Sequence, residues 1–181
     1  MKYMFASDIH GSAYYCKKTL EVFEASGAKR LILLGDLLYH GPRNDLPKEY
    51  APKQVIAMLN EYKNEISAVR GNCEAEVDQM VLECPVMADY AILVLNGLTF
   101  FATHGHLFNQ DQMPPLKARD ILVHGHTHLL KAEKGNGHYI LNPGPTSILK
   151  GGHPATYALL DQQNFRFFDF DRNVVKVAHL G

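Results

Sequence analysis

The sequence predicts an α/β fold in which two stacked mixed β-sheets are flanked by helices, in one domain spanning residues 1–181. Three observations lead to it. Residues 2–72 alternate short apolar runs with segments of helical period, the pattern of βαβ units. Residues 90–177 read almost entirely as strands, so a β-rich half follows the βαβ half. Five of the apolar runs also end in Asp, His or Asn beside glycine, at the strand edge where α/β sheets bind ligands.

Residues 2–8 form the first strand, apolar until Ser7-Asp8. Residues 12–25 follow as a helix: Tyr15, Cys16, Leu20 and Phe23 recur near helical spacing, Ser12 is placed as N-cap, and Gly27 is a stop. Residues 30–36 (RLILLGD) suit a strand buried on both faces. After a proline-rich loop, a helix is predicted over 52–64, with Pro52 in its first turn and Val55, Ile56, Leu59 and Tyr62 as its buried stripe. A third strand over 66–72 and a third helix over 74–82 complete the first half. Runs 90–95 and 98–103, joined by Asn96-Gly97, read as a hairpin because that pair accepts the positive φ of a tight turn. Further strands are predicted over 121–124, 139–141, 156–160, 165–170 and 174–177. Within them Phe165, Phe167 and Phe168 break simple alternation, which suggests, with Phe170, strand core or a subunit contact.

Composition narrows the function classes. Eighteen basic residues against nineteen acidic give a formal charge of -1, so a chain-wide nucleic-acid footprint is excluded. The 46% hydrophobic content excludes wholesale disorder. The start, MKYMFASDIHG, lacks the apolar core of a signal peptide, and no run is long enough to span a membrane. Cys16, Cys73 and Cys84 form no disulfide framework and read as free thiols. A cytoplasmic protein with no membrane partner is expected. Histidine stands out: of ten, eight adjoin a glycine, where the backbone turns freely.

The strand ends deliver the chemistry. The runs lead into Ser7-Asp8-Ile9-His10-Gly11, Gly35-Asp36, Arg70-Gly71-Asn72-Cys73, Thr103-His104-Gly105-His106 and His124-Gly125-His126-Thr127-His128. Each has an ordinary reading alone: Asp8 as a helix cap, Gly35-Asp36 as a turn, a loop histidine as merely solvated. Together they supply seven oxygen and imidazole donors: Asp8, His10, Asp36, Asn72, His104, His126 and His128. That set exceeds the four ligands of a structural zinc and is about enough for two ions sharing a carboxylate. Two metals clamp a phosphoryl group and activate water. The amide of Asn72 suits an open catalytic site better than a structural zinc.

These motifs, in this order, resemble those of the calcineurin-like metallophosphoesterases. The likeness covers residues 8–128 and continues through Asn142-Pro143-Gly144, closest to a small bacterial phosphodiesterase subfamily. It implies a metallophosphoesterase-type sandwich. It also implies a first metal on Asp8, His10 and His128, a second on Asn72, His104 and His126, and Asp36 bridging both. A hydroxide between the metals would attack phosphorus with no covalent enzyme intermediate. Two divalent ions are implied, Mn above all, with Fe, Zn, Ni or Mg also used. Two departures matter. Cys73 stands where the wider family has a histidine that contacts substrate and can protonate the leaving group. A thiol donates poorly, so esters with good leaving groups, such as aryl phosphodiesters, are expected to be favoured. Pro145 stands where the nearest subfamily has serine, which removes a donor and a hydroxyl.

Around this set, His106 is a candidate for substrate contact or catalysis, Arg43 and Asn44 for gripping a phosphate oxygen, and Cys73 for both substrate contact and catalysis. His40 is a candidate for the cleft wall. His124 is left out of the metal shell, and His138, His153 and His179 are read as surface or structural. A dinuclear-metal phosphodiesterase acting on small phosphodiesters is the leading function. The alternatives are a nuclease of the same fold, disfavoured by the absence of a basic patch, and a non-catalytic protein-binding scaffold, as in the retromer subunit of this fold. A zinc-stabilised structural domain stands further behind. A homo-oligomer through the late strands is left open.

Overall fold

A computed structural model describes residues 1–135 and 137–181. Its first sheet has six strands: β1 (Lys2–Ala6), β2 (Leu31–Leu33), β3 (Ile66–Ala68), β9 (Thr156–Asp161), β10 (Asn164–Asp169) and β11 (Val174–His179). Their order is β11-β10-β9-β1-β2-β3. The second sheet has β4 (Tyr90–Leu95), β5 (Leu98–Thr103), β6 (Ile121–Val123), β7 (Lys131–Gly135) and β8 (His138–Asn142), ordered β4-β5-β6-β8-β7. Each sheet holds three neighbouring parallel strands, β1-β2-β3 in one and β5-β6-β8 in the other; antiparallel strands extend the first beyond β1 and flank the second on both sides.

The core lies between the sheets. Phe5, Phe100 and Phe165 are fully buried there, with ring centroids 5.0 to 6.4 Å apart. Phe165 and Phe167 point inward. Phe168 and Phe170 point outward against Tyr157, and Tyr15 of the first helix also meets Phe170. The phenylalanine run therefore keeps the alternation of a strand after all. It looked broken because both faces of this sheet are covered. The outer cover is α1 (Ala13–Ser26) and α2 (Pro52–Glu61), which bury Cys16, Leu20, Phe23, Val55 and Leu59 against β1 and β2. Ser12 caps α1 by accepting the Tyr15 N–H at 3.2 Å, and Gly27 ends it at φ 66°. The second sheet has no helix packed on its outer face among the described residues; Phe108 and Leu116 of the segment after β5 pack on Phe101, Leu122 and Ile140.

Several elements are shorter than predicted, for a common reason. β2 stops at Leu33 because Gly35 and Asp36 have already turned, at φ 91° and 57°. The third helix, α3, spans only Glu76–Val81, because Glu74 is drawn into the interior and Asp78 accepts the Ala75 N–H at 2.8 Å. One strand escaped the sequence reading: β7, with the polar sequence KAEKG, is a charged edge strand with no apolar alternation to reveal it. Among the described residues, no helix is long and apolar enough to cross a membrane.

Phe165 is the aromatic centre of the packing between the sheets. Phe165→Ala should lower the unfolding free energy by about 3–5 kcal/mol, the usual range for an aromatic truncated in a core. Phe168→Ala, on the partly exposed outer face, should cost clearly less. Urea unfolding of both variants checks this, and equal losses would contradict the placement of Phe165.

Candidate metal centre

The carboxyl ends of the parallel strands meet at one edge of the sandwich. Asp8 and His10 follow β1, Asp36 follows β2, and Asn72 follows β3. From the second sheet, His104 follows β5, and His126 and His128 follow β6. Five of these seven residues sit at positive φ: Asp8 at 61°, His10 at 50°, Asp36 at 57°, His126 at 66° and His128 at 58°. Such backbone costs non-glycine residues roughly 1–3 kcal/mol each and persists only where the surroundings impose it. Here they do. Ser147 donates its hydroxyl to the Asp8 and Ile9 carbonyls at 2.9 and 2.8 Å, and the Thr146 N–H meets the Ser7 carbonyl at 2.9 Å. Asn142 donates to the Gly125 carbonyl at 2.8 Å and to the Thr127 hydroxyl at 3.0 Å, holding the turn that carries His126.

Two glycines have no substitute. A Cβ on Gly71 would lie 2.1 Å from Asp36 Oδ1, and one on Gly125 would lie 1.9 Å from the Ser7 hydroxyl and 2.9 Å from Asp8 Oδ2. The Asp36 loop and the Asn72 loop are clamped by Glu74. Its buried carboxylate accepts the N–H groups of Asp36 at 2.9 Å, Leu37 at 2.6 Å and Gly71. The sequence reading gave Glu74 only a helix start.

Three rings are aimed by the backbone. Nδ1 of His10 lies 2.8 Å from the Tyr39 carbonyl, that of His104 lies 2.6 Å from Leu34, and that of His128 lies 2.7 Å from Ile148. A carbonyl only accepts, so each Nδ1 carries the proton and each Nε2 presents a lone pair to the centre when the ring is neutral. His10 and His128 Nε2 approach within 3.3 Å. His128 Nε2 lies 3.3 Å from Asp8 Oδ1, and His104 Nε2 lies 3.3 Å from Asp36 Oδ2 and 3.1 Å from Asn72 Oδ1. The donor atoms of Asp8, His10 and His128 lie within 4.8 Å of one another, as do those of Asp8, Asp36 and His104, and those of His10, Asp36 and Cys73. Asp8 Oδ1 is buried and, among the described residues, accepts no hydrogen bond. Converging lone pairs and an orphaned carboxylate oxygen are what a bound cation would satisfy, so the donor set fits divalent metal. Asp8 does not cap α1, since Ser12 does.

A family model for the calcineurin-like phosphoesterase superfamily domain matches residues 1–164. The chain belongs to this family. Among proteins that resemble this calcineurin-like phosphoesterase, phosphodiesterase YfcE of Escherichia coli K12 is 52% identical over 161 residues, covering 89% of this chain and 88% of that protein. A solved structure of YfcE from E. coli, described as a phosphoesterase, superposes with a TM-score of 0.97 at 46% identity over 100% of both chains. Vps29 of Entamoeba histolytica, complexed with zinc, shares the fold, with a TM-score of 0.64 at 19% identity over 100% of both chains.

In this calcineurin-like phosphoesterase the donors open onto a cleft of about 540 Å³, lined among others by His10, Asp36, Asn72, Cys73, His126 and His128. Arg43 and Asn44 line it too, as does Lys150, which stood in no motif. Asn44 donates to the His40 carbonyl at 2.8 Å, which shapes its loop. One expectation needs correction. His40 does not line this cleft: its ring packs edge-on between Tyr39 and Tyr50, at 4.8 and 5.1 Å. The half-buried His106 ring lies beside the donors, 5.5 Å from His104 and 6.3 Å from His126. Pro145 is buried, its carbonyl accepting the Thr156 N–H at 3.0 Å. Neither His126 nor His124 falls within the donor groups: the His126 ring lies on the cleft wall 5.0 Å from that of His104, and His124 is buried with Nδ1 3.0 Å from the Gly125 carbonyl.

Mutual proximity shifts the titrations. Burial raises Asp8, but His10 and the neighbouring imidazoles outweigh it and hold the carboxyl well below the usual range. Burial pulls the His104 imidazolium down, yet the carboxylates of Asp36 and Asp8 lift it to about 9. Burial and the charge of His104 depress His126 to about 4. Burial and the Asp36 carboxylate push the Cys73 thiol up, so it stays protonated at neutral pH. Without metal, His104 therefore holds a proton on Nε2 below about pH 9, which a metal ion bound at that nitrogen would have to displace. Affinity for Mn²⁺ should rise by up to about tenfold per pH unit between pH 7 and 9. Titration calorimetry in two buffers of different ionisation heat should find close to one proton released at pH 7.5. Release of none would contradict a role for His104 as ligand.

Proposed function

We propose that this chain hydrolyses small phosphodiesters with two divalent metal ions, Mn²⁺ foremost, held as the motif order implies. Asp8, His10 and His128 would hold the first ion, Asn72, His104 and His126 the second, and Asp36 would bridge them. The observation that carries this reading is the convergence of Asp8, His10, Asp36, Asn72, His104 and His128 from both sheets, with three rings engaged through Nδ1 by backbone carbonyls and His126 on the cleft wall beside them. When bound, the pair of ions would activate water between them and neutralise phosphate oxygens. The kinship with phosphodiesterase YfcE supports the same reaction class.

The protein's own groups complete the site. Arg43 and Lys150 add positive charge to the cleft, suited to the non-bridging oxygens of a phosphodiester. Asp36 is held on both sides: Oδ1 accepts the Cys73 N–H at 2.9 Å, and its own N–H goes to Glu74. Cys73 faces the cleft as a neutral thiol, so it is neither a ready nucleophile nor a strong proton donor. The nuclease alternative lacks support in the near-balanced charge of -1. A scaffold would need no such convergent donors.

Two outcomes test the reading. In Mn²⁺-supplemented assays of bis(4-nitrophenyl) phosphate, cyclic nucleotides and glycerophosphodiesters, Asp36→Asn should lose more than about 100-fold in kcat/KM, beyond the 10–100-fold cost of an outer partner. Activity surviving in that variant would overturn the two-metal proposal. Cys73→His should gain on diesters with poor alkoxide leaving groups, within the roughly 10²–10⁴-fold that general acid catalysis supplies, with little gain on 4-nitrophenyl esters. A gain equal for both leaving groups would show that Cys73 does not limit protonation.

A further inference from the structure

We propose that an apolar groove beside the metal cleft receives an apolar, aryl-like ester arm of the substrate; this rests on the phosphodiesterase reading above. The groove has a volume of about 370 Å³ and adjoins the cleft, since Tyr39, Cys73 and Ala75 line both. Its further walls are Tyr50, Pro52, Ile56 and Val77. The carboxylate of Asp78, its one charged lining residue, is already engaged by the Ala75 N–H at 2.8 Å. The cations Arg43 and Lys150 line the cleft and not the groove. A diester entering this site thus meets positive charge at its phosphate and apolar surface beyond it. A second phosphate or a sugar would find no counter-charge and few donors there, whereas a flat apolar arm would cover walls that now face water. Tyr39 is 42% and Val77 61% exposed. A cavity of about 150 Å³ holds benzene, so a substituted ring fits in this volume.

The groove is also positioned with respect to the metal donors. The Tyr39 carbonyl that orients the His10 ring belongs to the residue whose side chain forms the groove wall, so donor and wall are fixed by one stretch of backbone. The His40 ring, wedged between Tyr39 and Tyr50, sets the spacing of the two tyrosines. That gives a place to a histidine the metal centre does not use.

The test compares three anions on the Mn²⁺-loaded protein by calorimetry: inorganic phosphate, dimethyl phosphate and diphenyl phosphate. Competition against bis(4-nitrophenyl) phosphate hydrolysis provides a second readout. Diphenyl phosphate should bind at least about tenfold more tightly than dimethyl phosphate, the effect expected from partly burying one ring. Val77 lies on α3, which buries none of its residues, so Val77→Asn should fold normally and is neutral toward the phosphate. It should cut the diphenyl preference about threefold or more and leave the other two anions unchanged; Val77→Met should retain the preference. Equal binding of the two diesters, or a loss shared by all three anions in Val77→Asn, would overturn the groove while leaving the phosphodiesterase reading intact. Failure of phosphate and both diesters to bind would overturn that reading, and the groove with it.

Discussion

Hydrogen bonds from imidazole Nδ1 to backbone carbonyls are the constraint on which this molecule is organised. His10, His104 and His128 each surrender one nitrogen to a carbonyl of another segment, at Tyr39, Leu34 and Ile148. The other nitrogen of each ring is thereby forced toward two buried carboxylates. For this to work, strands must end within an ångström or so of the right place, and the chain must turn at once. The left-handed conformations of Asp8, His10, Asp36, His126 and His128 are the result, and Ser147, Asn142 and Glu74 hold them there. Local strain and the hydrogen-bond network around it are two aspects of one arrangement.

Much of this was legible in the sequence, because the physics concerned is local. A short apolar run that stops at Gly-Asp or Gly-Asn announces both a buried strand and its polar exit. Seven candidate donors could be read from that rule before any contact was known. What was not legible depends on contacts between segments distant in the chain. Lys131–Gly135 is a strand only because it pairs with His138–Asn142 at a sheet edge, and its own residues show no alternation. Glu74 is a clamp only because loops from β2 and β3 cross above it. Lys150 reaches the cleft from a segment with no motif. The phenylalanine run misled for the opposite reason: its periodicity was regular, but both faces were apolar.

Charge is arranged locally. The chain as a whole is close to neutral. The cleft is lined by the buried carboxylates of Asp36 and Glu74 and by the cations Arg43 and Lys150, so its field is set by a few groups at short range. The Cys73 thiol introduces no further charge, and its backbone N–H is directed at Asp36.

The placement of the seven donors has a mechanical consequence. Asp8, His10, Asp36 and Asn72 come from the first sheet, and His104, His126 and His128 from the second. An ion held between them would rivet the two halves of the sandwich at one edge, at the end of the aromatic packing between the sheets. Catalysis and cohesion would then share the same bonds. Chelation would loosen the seam between the sheets as well as stop turnover, and an aged, metal-depleted preparation would be a softer protein as well as an inactive one.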